Sequence, residues 1–309
     1  MEWANQGLGV APVAVIRCGT CAWADHEEYY PRGLPAAERL AYYARHFPIV
    51  EVDSSFYHLQ PPKWYESWAK KTPPGFVFNV KAYGAMTRHH REPRPGEENL
   101  REVFERFAAS VRPLKEAGKL KALHFQFPPW FTCGPESKGW VRYCREFFAD
   151  DIVAVEFRHR SWFLGERCQE TLEFLREIQA VHVVCDEPQV GSGTVPAVVA
   201  VTDPRLAIVR FHGRNSQTWY LKAETTAQRF DYLYSREELG EWVPQIQEVL
   251  ASEAEEVHLL MNNNRANYAV RNALDLMELL DLPVPPRDER GVPIPEPRTS
   301  RGPEQLRLF

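Results

Sequence analysis

Val153-Ala-Val-Glu-Phe-Arg158, VAVEFR, decides how this chain is read. Side chains of a strand alternate between two faces, so Val155 and Phe157 lie opposite Glu156 and Arg158. One face suits packing under a helix, and the other delivers two opposite charges. The same alternation recurs in IVEVDS from Ile49, where Val50 and Val52 oppose Glu51 and Asp53. In FVFNVK from Phe76, Phe78 and Val80 oppose Asn79 and Lys81. In ALHFQF from Ala122, Phe125 opposes His124 and Gln126, and in AIVRFH from Ala207, Val209 and Phe211 oppose Arg210 and His212. AVIRCG from Ala14, HVVCDE from His182 and EVHLLMN from Glu256 bring the strands to eight.

Between them lie segments with apolar residues at three-and-four spacing: AAERLAYYARHF, ENLREVFERFAASVRPL, CQETLEFLREIQ, REELGEWVPQIQEVL and AVRNALDLMELL. Alternating strands and helices predict an α/β chain, a single-domain (β/α)8 TIM-like barrel. A doubly wound sheet would carry a Gly-x-Gly-x-x-Gly turn after its first strand, and none is present. The barrel should be irregular between the sixth and seventh strands, where GSGTVPAVVAVTDPR holds no helix, and the loop after the seventh is long. Residues 1–13 read as an N-terminal extension and 14–282 as the barrel. Residues 283–309, opening PVPPRDERGVPIPEPR, read as a flexible, disordered proline-rich tail ending in Gln-Leu-Arg-Leu-Phe.

The net charge of −5 argues against a protein that coats nucleic acid or membrane indiscriminately. No apolar run is long enough to span a bilayer, and the N-terminus lacks a secretory pattern, so a cytoplasmic location is expected and no membrane partner. Cys18 and Cys21 form a C-x-x-C, read either as a redox or metal pair or as two small residues packed at a strand end.

The polar strand faces converge on the C-terminal mouth, where barrel enzymes place their sites. Candidate catalytic residues are Glu51, Asp53, Lys81, Glu156, Arg158, Asp186, Arg210 and His212, the last as an acid or base near neutral pH. Candidate ligand contacts are Trp23, Tyr57, Gln126, Trp162, Arg214 and Asn262. The structural alternative is a buried salt-bridge network. Glu156, Asp186 and His212 could hold a divalent ion, but Arg158 and Arg210 compete for the carboxylates, so no metal ligand is assigned and the cofactor stays open. Basic loops, TRHHREPR from Thr87 and RHR from Arg158, interleave with aromatics and point to phosphate, with Arg88, Arg91, Arg160 and Arg214 as candidate DNA contacts.

GTCAW at Gly19, HFPIVEVDSSFY ending at Tyr57, PPGFVFNVKA, FQFPPWF, AVEFRHRSW, VRFHGR and FDYLYS resemble the YecE-like family, domain of unknown function 72. The resemblance runs from about Ile16 to Leu280 and implies a TIM barrel whose signature residues include Trp23, Glu51, Phe56, Tyr57, Lys81, Gln126, Glu156, Arg158, Trp162, Arg210, His212 and Arg214. It also implies departures. Cys21 and Ala22 stand where Ser and Gly are common, Asp53 where Asn is common, and Asn264-Arg265 where His-Tyr is expected. The family's activity is not established, so function rests on the residues.

Two enzyme readings follow. One is an enzyme or binder acting on phosphate-bearing substrate, including nucleic acid in repair or replication, with a hydrolase of phosphodiesterase type as its enzymatic form. The other is a glycosidase-like hydrolase pairing Glu156 with Asp53 or Asp186. A non-catalytic nucleotide sensor is the third. The terminal peptide, with Gln305, Leu306, Leu308 and Phe309, resembles the Q-L-x-L-F motif that binds the bacterial sliding clamp, and makes the clamp a candidate partner.

Overall fold

The computed structural model describes residues 14–90, 92–220 and 229–294. β1 (Val15–Cys21), β2 (Ile49–Val52), β3 (Val77–Lys81), β4 (Leu120–Gln126), β5 (Val153–Glu156), β6 (Val181–Asp186), β7 (Ala207–Phe211) and β8 (Glu256–Met261) form a closed parallel barrel in sequence order. All eight predicted runs become strands. β8 closes on β1 over six residue pairs, from Val15 opposite Glu256 to Thr20 opposite Met261. On its other side β1 meets β2 only at Thr20 and Cys21. A Cβ at Gly19 would stand 2.2 Å from the Ile49 carbonyl oxygen, so only glycine permits that approach.

The five predicted helical stretches are present, and further helices, besides a single turn at Ser54–Tyr57, appear at Pro62–Lys71 and Pro135–Phe147. Both open on proline, whose fixed φ suits a first turn. Their packing positions are largely aromatic, as at Tyr65, Trp68 and Trp140, set among charges that dilute the apolar pattern. Between β6 and β7 there is no helix, as the sequence predicts. Side chains there meet the backbone's hydrogen-bond needs instead. Thr202 Oγ1 accepts the His182 amide at 2.7 Å and donates to the Ala180 carbonyl at 2.7 Å. Glu187 Oε1 accepts the Val195 amide at 2.6 Å.

The outer faces of the strands pack under the helices in one large core, and a smaller cluster of Ile49, Val77, Ala154, Val181, Val183, Ile208 and Leu260 lies inside the barrel beside a buried Asn79–His258–Glu256 hydrogen-bond chain.

Cys18 and Cys21 stand three residues apart on one strand, hence on opposite faces. The Cys18 thiol faces the Ala273 carbonyl under a helix, whereas Cys21 Sγ lies 3.4 Å from Arg210 Nη2 inside the barrel. Burial pushes both thiols well up. The two cannot act as a pair, which corrects the redox reading.

The chain also stays on the barrel past Leu282. Arg287 pairs with Asp275 at 2.6 Å and with Glu278, and Val292 is buried. Prolines bias this stretch against regular structure, but side-chain anchors are not visible in composition. Arg91 and the Gln305–Phe309 peptide lie outside the described residues. Among the described residues no helix is long and apolar enough to cross a membrane.

Candidate functional site

Arg210 of β7 spans the barrel interior without exposure to solvent. Its Nη2 donates to Glu51 Oε1 at 2.6 Å and its Nη1 to Glu156 Oε2 at 2.7 Å. His124 of β4 faces the same two acids, Nδ1 at 2.8 Å from Glu51 Oε2 and Nε2 at 3.2 Å from Glu156 Oε2. Arg210 and His124 thus each span the two carboxylates, closing a ring. Burial alone would raise the Glu51 carboxyl, but Arg210 and then His124 hold it well below the usual carboxylate range. Burial is likewise overcome at Glu156, chiefly by Arg210. Burial would discharge His124, and Glu51 prevails over it to raise the imidazole. Ions this deep persist only when paired, so this layer is the buried network foreseen as the structural alternative.

A second layer sits nearer the mouth. Arg158 Nη1 donates to Glu156 Oε1 at 2.8 Å and meets His212 Nε2 at 2.9 Å, while its Nη2 lies 2.9 Å from Glu187 Oε2. The guanidinium also covers the Trp219 ring, 5.1 Å from its centroid. A guanidinium can only donate, so His212 Nε2 accepts. His212 Nδ1 meets the Asn262 amide at 2.8 Å. Burial, then Arg158, pushes His212 down to about 3, so it stays neutral and is not the near-neutral acid or base that its residue type suggests.

The groups that titrate near neutrality are carboxyls. Burial lifts Glu187 to about 7 against the pull of Arg158. Burial lifts Asp53 to about 6, opposed by Lys81 and reinforced by Glu51. Asp53 Oδ1 is 3.7 Å from Lys81 Nζ and 3.9 Å from Arg210 Nη2, both beyond hydrogen-bond reach. These two side chains retain solvent contact, 22% for Asp53 and 13% for Lys81. Gln126, paired in register with Glu156, is partly exposed beside them.

The family of proteins of unknown function called DUF72 matches residues 17–296. This chain belongs to the DUF72 family. It is similar to the UPF0759 protein YunF of Bacillus subtilis, 40% identical over 272 residues that cover 87% of this chain and 95% of that one. Among solved structures, a DUF72 protein of Enterococcus faecalis superposes with a TM-score of 0.80 at 30% identity, covering 89% of this chain and 99% of that one. A DUF72 protein of Thermotoga maritima gives 0.74 at 31% identity, covering 86% and 99%.

Several expected site residues of this DUF72 chain stand elsewhere. Asp186 ends β6 on the outward face, since Val181, Val183 and Cys185 take the inward positions. Its oxygens accept from Tyr234 at 2.8 Å, Trp242 at 2.8 Å and Arg214 at 2.7 Å. Asp186 and Arg214 are thus committed to each other, and the pair lines a cavity with Glu187, Gln189 and Ser216. The acid that β6 sends to the mouth is the next residue, Glu187. Trp162 is core, stacked 3.7 Å from Phe157 with its indole N–H donating to the Phe131 carbonyl at 2.8 Å. Trp23 packs edge-on against Trp68, whereas Tyr57 is exposed.

With Asp186 outward, Glu156, Asp186 and His212 do not come together. Glu156 and His212 instead approach Cys185, and Cys21 approaches Glu51 and Asp53. Arg158 already engages Glu156 and His212, Arg210 engages Cys21 and Glu51, and burial pushes the Cys185 thiol well up, so neither group fits a metal. Glu187 is a further acid that the sequence already offers at the mouth, whereas His89 stands out there only as part of the basic loop from Thr87. Only the pairing of Glu187 with Arg158, and the contact of His89 with Phe56, give them a place.

Proposed function

We propose that this DUF72 barrel is an acid–base enzyme that takes a phosphate-bearing substrate at its mouth, Lys81 holding the anion and Asp53 carrying the proton. One observation carries the reading. Arg158 and Arg210 are each committed to two carboxylates, whereas Lys81 faces the mouth with its acid 3.7 Å away. The two arginines therefore shape the field rather than grip the ligand. A proton on Asp53 releases Lys81 for an anion, and an anion at Lys81 favours that proton. Paired-carboxylate glycoside chemistry is less well supported. Glu156 is fully buried with both oxygens engaged, and Asp186 points away.

The test is calorimetric titration with pyrophosphate at pH 6.5 in two buffers of unlike ionisation heat. Binding with net proton uptake, lost in Lys81→Met, is expected. Binding that survives Lys81→Met, or takes up no proton, would overturn the reading. A nucleic-acid setting draws its support from the clamp-like peptide at Gln305–Phe309. Capture of the intact chain by a bacterial clamp, abolished by deleting those five residues, is the expected result, and equal capture of both forms would remove the clamp as partner.

A further inference from the structure

Two carboxyl groups meet at the mouth with no donor between them. Glu51 on β2 and Asp53 just past its end bring oxygens within 4.8 Å of each other. Glu51 Oε2 and Asp53 Oδ1 are buried and accept no hydrogen bond, although His124 Nδ1 stands 2.8 Å from the first. Two such acceptors repel unless one of them carries a proton. Arg210 and His124 outweigh burial and keep Glu51 ionised, so the proton belongs to Asp53. Burial lifts the Asp53 carboxyl, Lys81 and Arg210 oppose it, and the charge of Glu51 and a hydrogen bond to it lift it further. The Cys21 thiol, the third group within that distance, is kept neutral by burial.

We infer that the mouth selects phosphate monoesters, one phosphate oxygen accepting from Lys81 and a protonated one donating to Asp53 Oδ2. This rests on the anion reading above and names the class of phosphate. A proton spent on Glu51 leaves Asp53 only acceptors to show a ligand. Because Oδ1 is buried, the 22% of the side chain that stays open to solvent lies toward Oδ2. Lys81 Nζ, 3.7 Å from Oδ1 on a side chain 13% exposed, offers only donors. The ligand must therefore accept at one atom and donate at a neighbouring one. A phosphate monoester near its second pKa of about 6 does both on a single phosphorus. A diester has already lost its one acidic proton. A carboxylate or a sulfate likewise brings charge without a proton at that pH.

Calorimetry on the full chain at pH 6 and low salt with methyl phosphate, dimethyl phosphate and sulfate tests the inference, beside Lys81→Met, Asp53→Asn and Asp53→Ala. Methyl phosphate should bind at least about tenfold more tightly than either other anion, the worth of one hydrogen bond involving a charged group. Asp53→Asn should keep that preference, because its amide N–H replaces the shared proton and its oxygen still accepts. Asp53→Ala should level the three ligands. Equal binding of methyl and dimethyl phosphate, lost in Lys81→Met, overturns the monoester inference and leaves the anion reading standing. Tighter binding of sulfate than of methyl phosphate, or a monoester preference unmoved by Asp53→Ala, also overturns the inference alone. Binding of none of the three, or binding unmoved by Lys81→Met, overturns both.

Discussion

Replacing Asp53 by asparagine should make this protein more stable, and by an amount that depends on pH. Burial lifts the carboxyl from 3.8 to about 6. Each unit is worth about 1.4 kcal/mol, so the ionised group costs the fold about 3 kcal/mol once pH is well above its folded value. Because the folded pKa is the higher one, the stability tied to the proton is complete below 3.8 and is lost as pH rises through 6. Asparagine imitates the protonated acid at every pH. Linkage over this window puts the wild-type cost at about 1 kcal/mol at pH 4.5 and about 3 at pH 8. The advantage of Asp53→Asn should therefore grow by about 2 kcal/mol between those conditions, or roughly 3 °C in Tm for a chain of 309 residues. Urea unfolding of both proteins at the two pH values measures it, and titrations common to both cancel in the difference. Parallel stability curves, or a variant that loses ground as pH rises, would refute the placement of a strained acid at Asp53. The same variant should bind pyrophosphate without proton uptake.

Glu187→Gln should act with the same sign, its gain about 3 kcal/mol at pH 8.5 and falling to about 1 at pH 5, because burial lifts Glu187 from 4.5 to about 7; the same unfolding pair measures it. His124→Leu breaks the buried ring on one side and should cost about 3–5 kcal/mol, read as a lowered Tm; an unchanged Tm would mean that the ring does not depend on its histidine. Native thiol titration should find only Cys133 and Cys168 reactive, since Cys18, Cys21, Cys144 and Cys185 are buried, with the remaining thiols appearing in denaturant.

The barrel was legible because VAVEFR and its counterparts alternate cleanly, and alternation is a local property of one strand. The inward set was legible for the same reason: Glu51, Lys81, Glu156 and Arg210 all point where period two sends them. What one strand cannot tell is who pairs with whom. Arg210 meets Glu51 and Glu156 only after the sheet closes, so its commitment to them, and the consequent isolation of Lys81, belong to register. Asp186 was misplaced because a strand's last residue can face either way, and the neighbouring Cys185 holds the inward position. Trp162 looked like a wall of the mouth by its proximity to Arg158, yet the short 3-10 turn at Arg160–Trp162 carries it against Phe157.

The ring of Arg210, Glu51, His124 and Glu156 has a further consequence, for how the chain finds its register. A barrel lined only with aliphatic side chains is forgiving, because a strand that slips exchanges one greasy residue for another. Here a slip of one residue in β7 would swing Arg210 beneath the helices and bring Val209 and Phe211 against two stranded carboxylates. The wrong closure would carry unmatched charge on both sides of the sheet. The polar interior thus penalises misassembly more heavily than it rewards the correct fold.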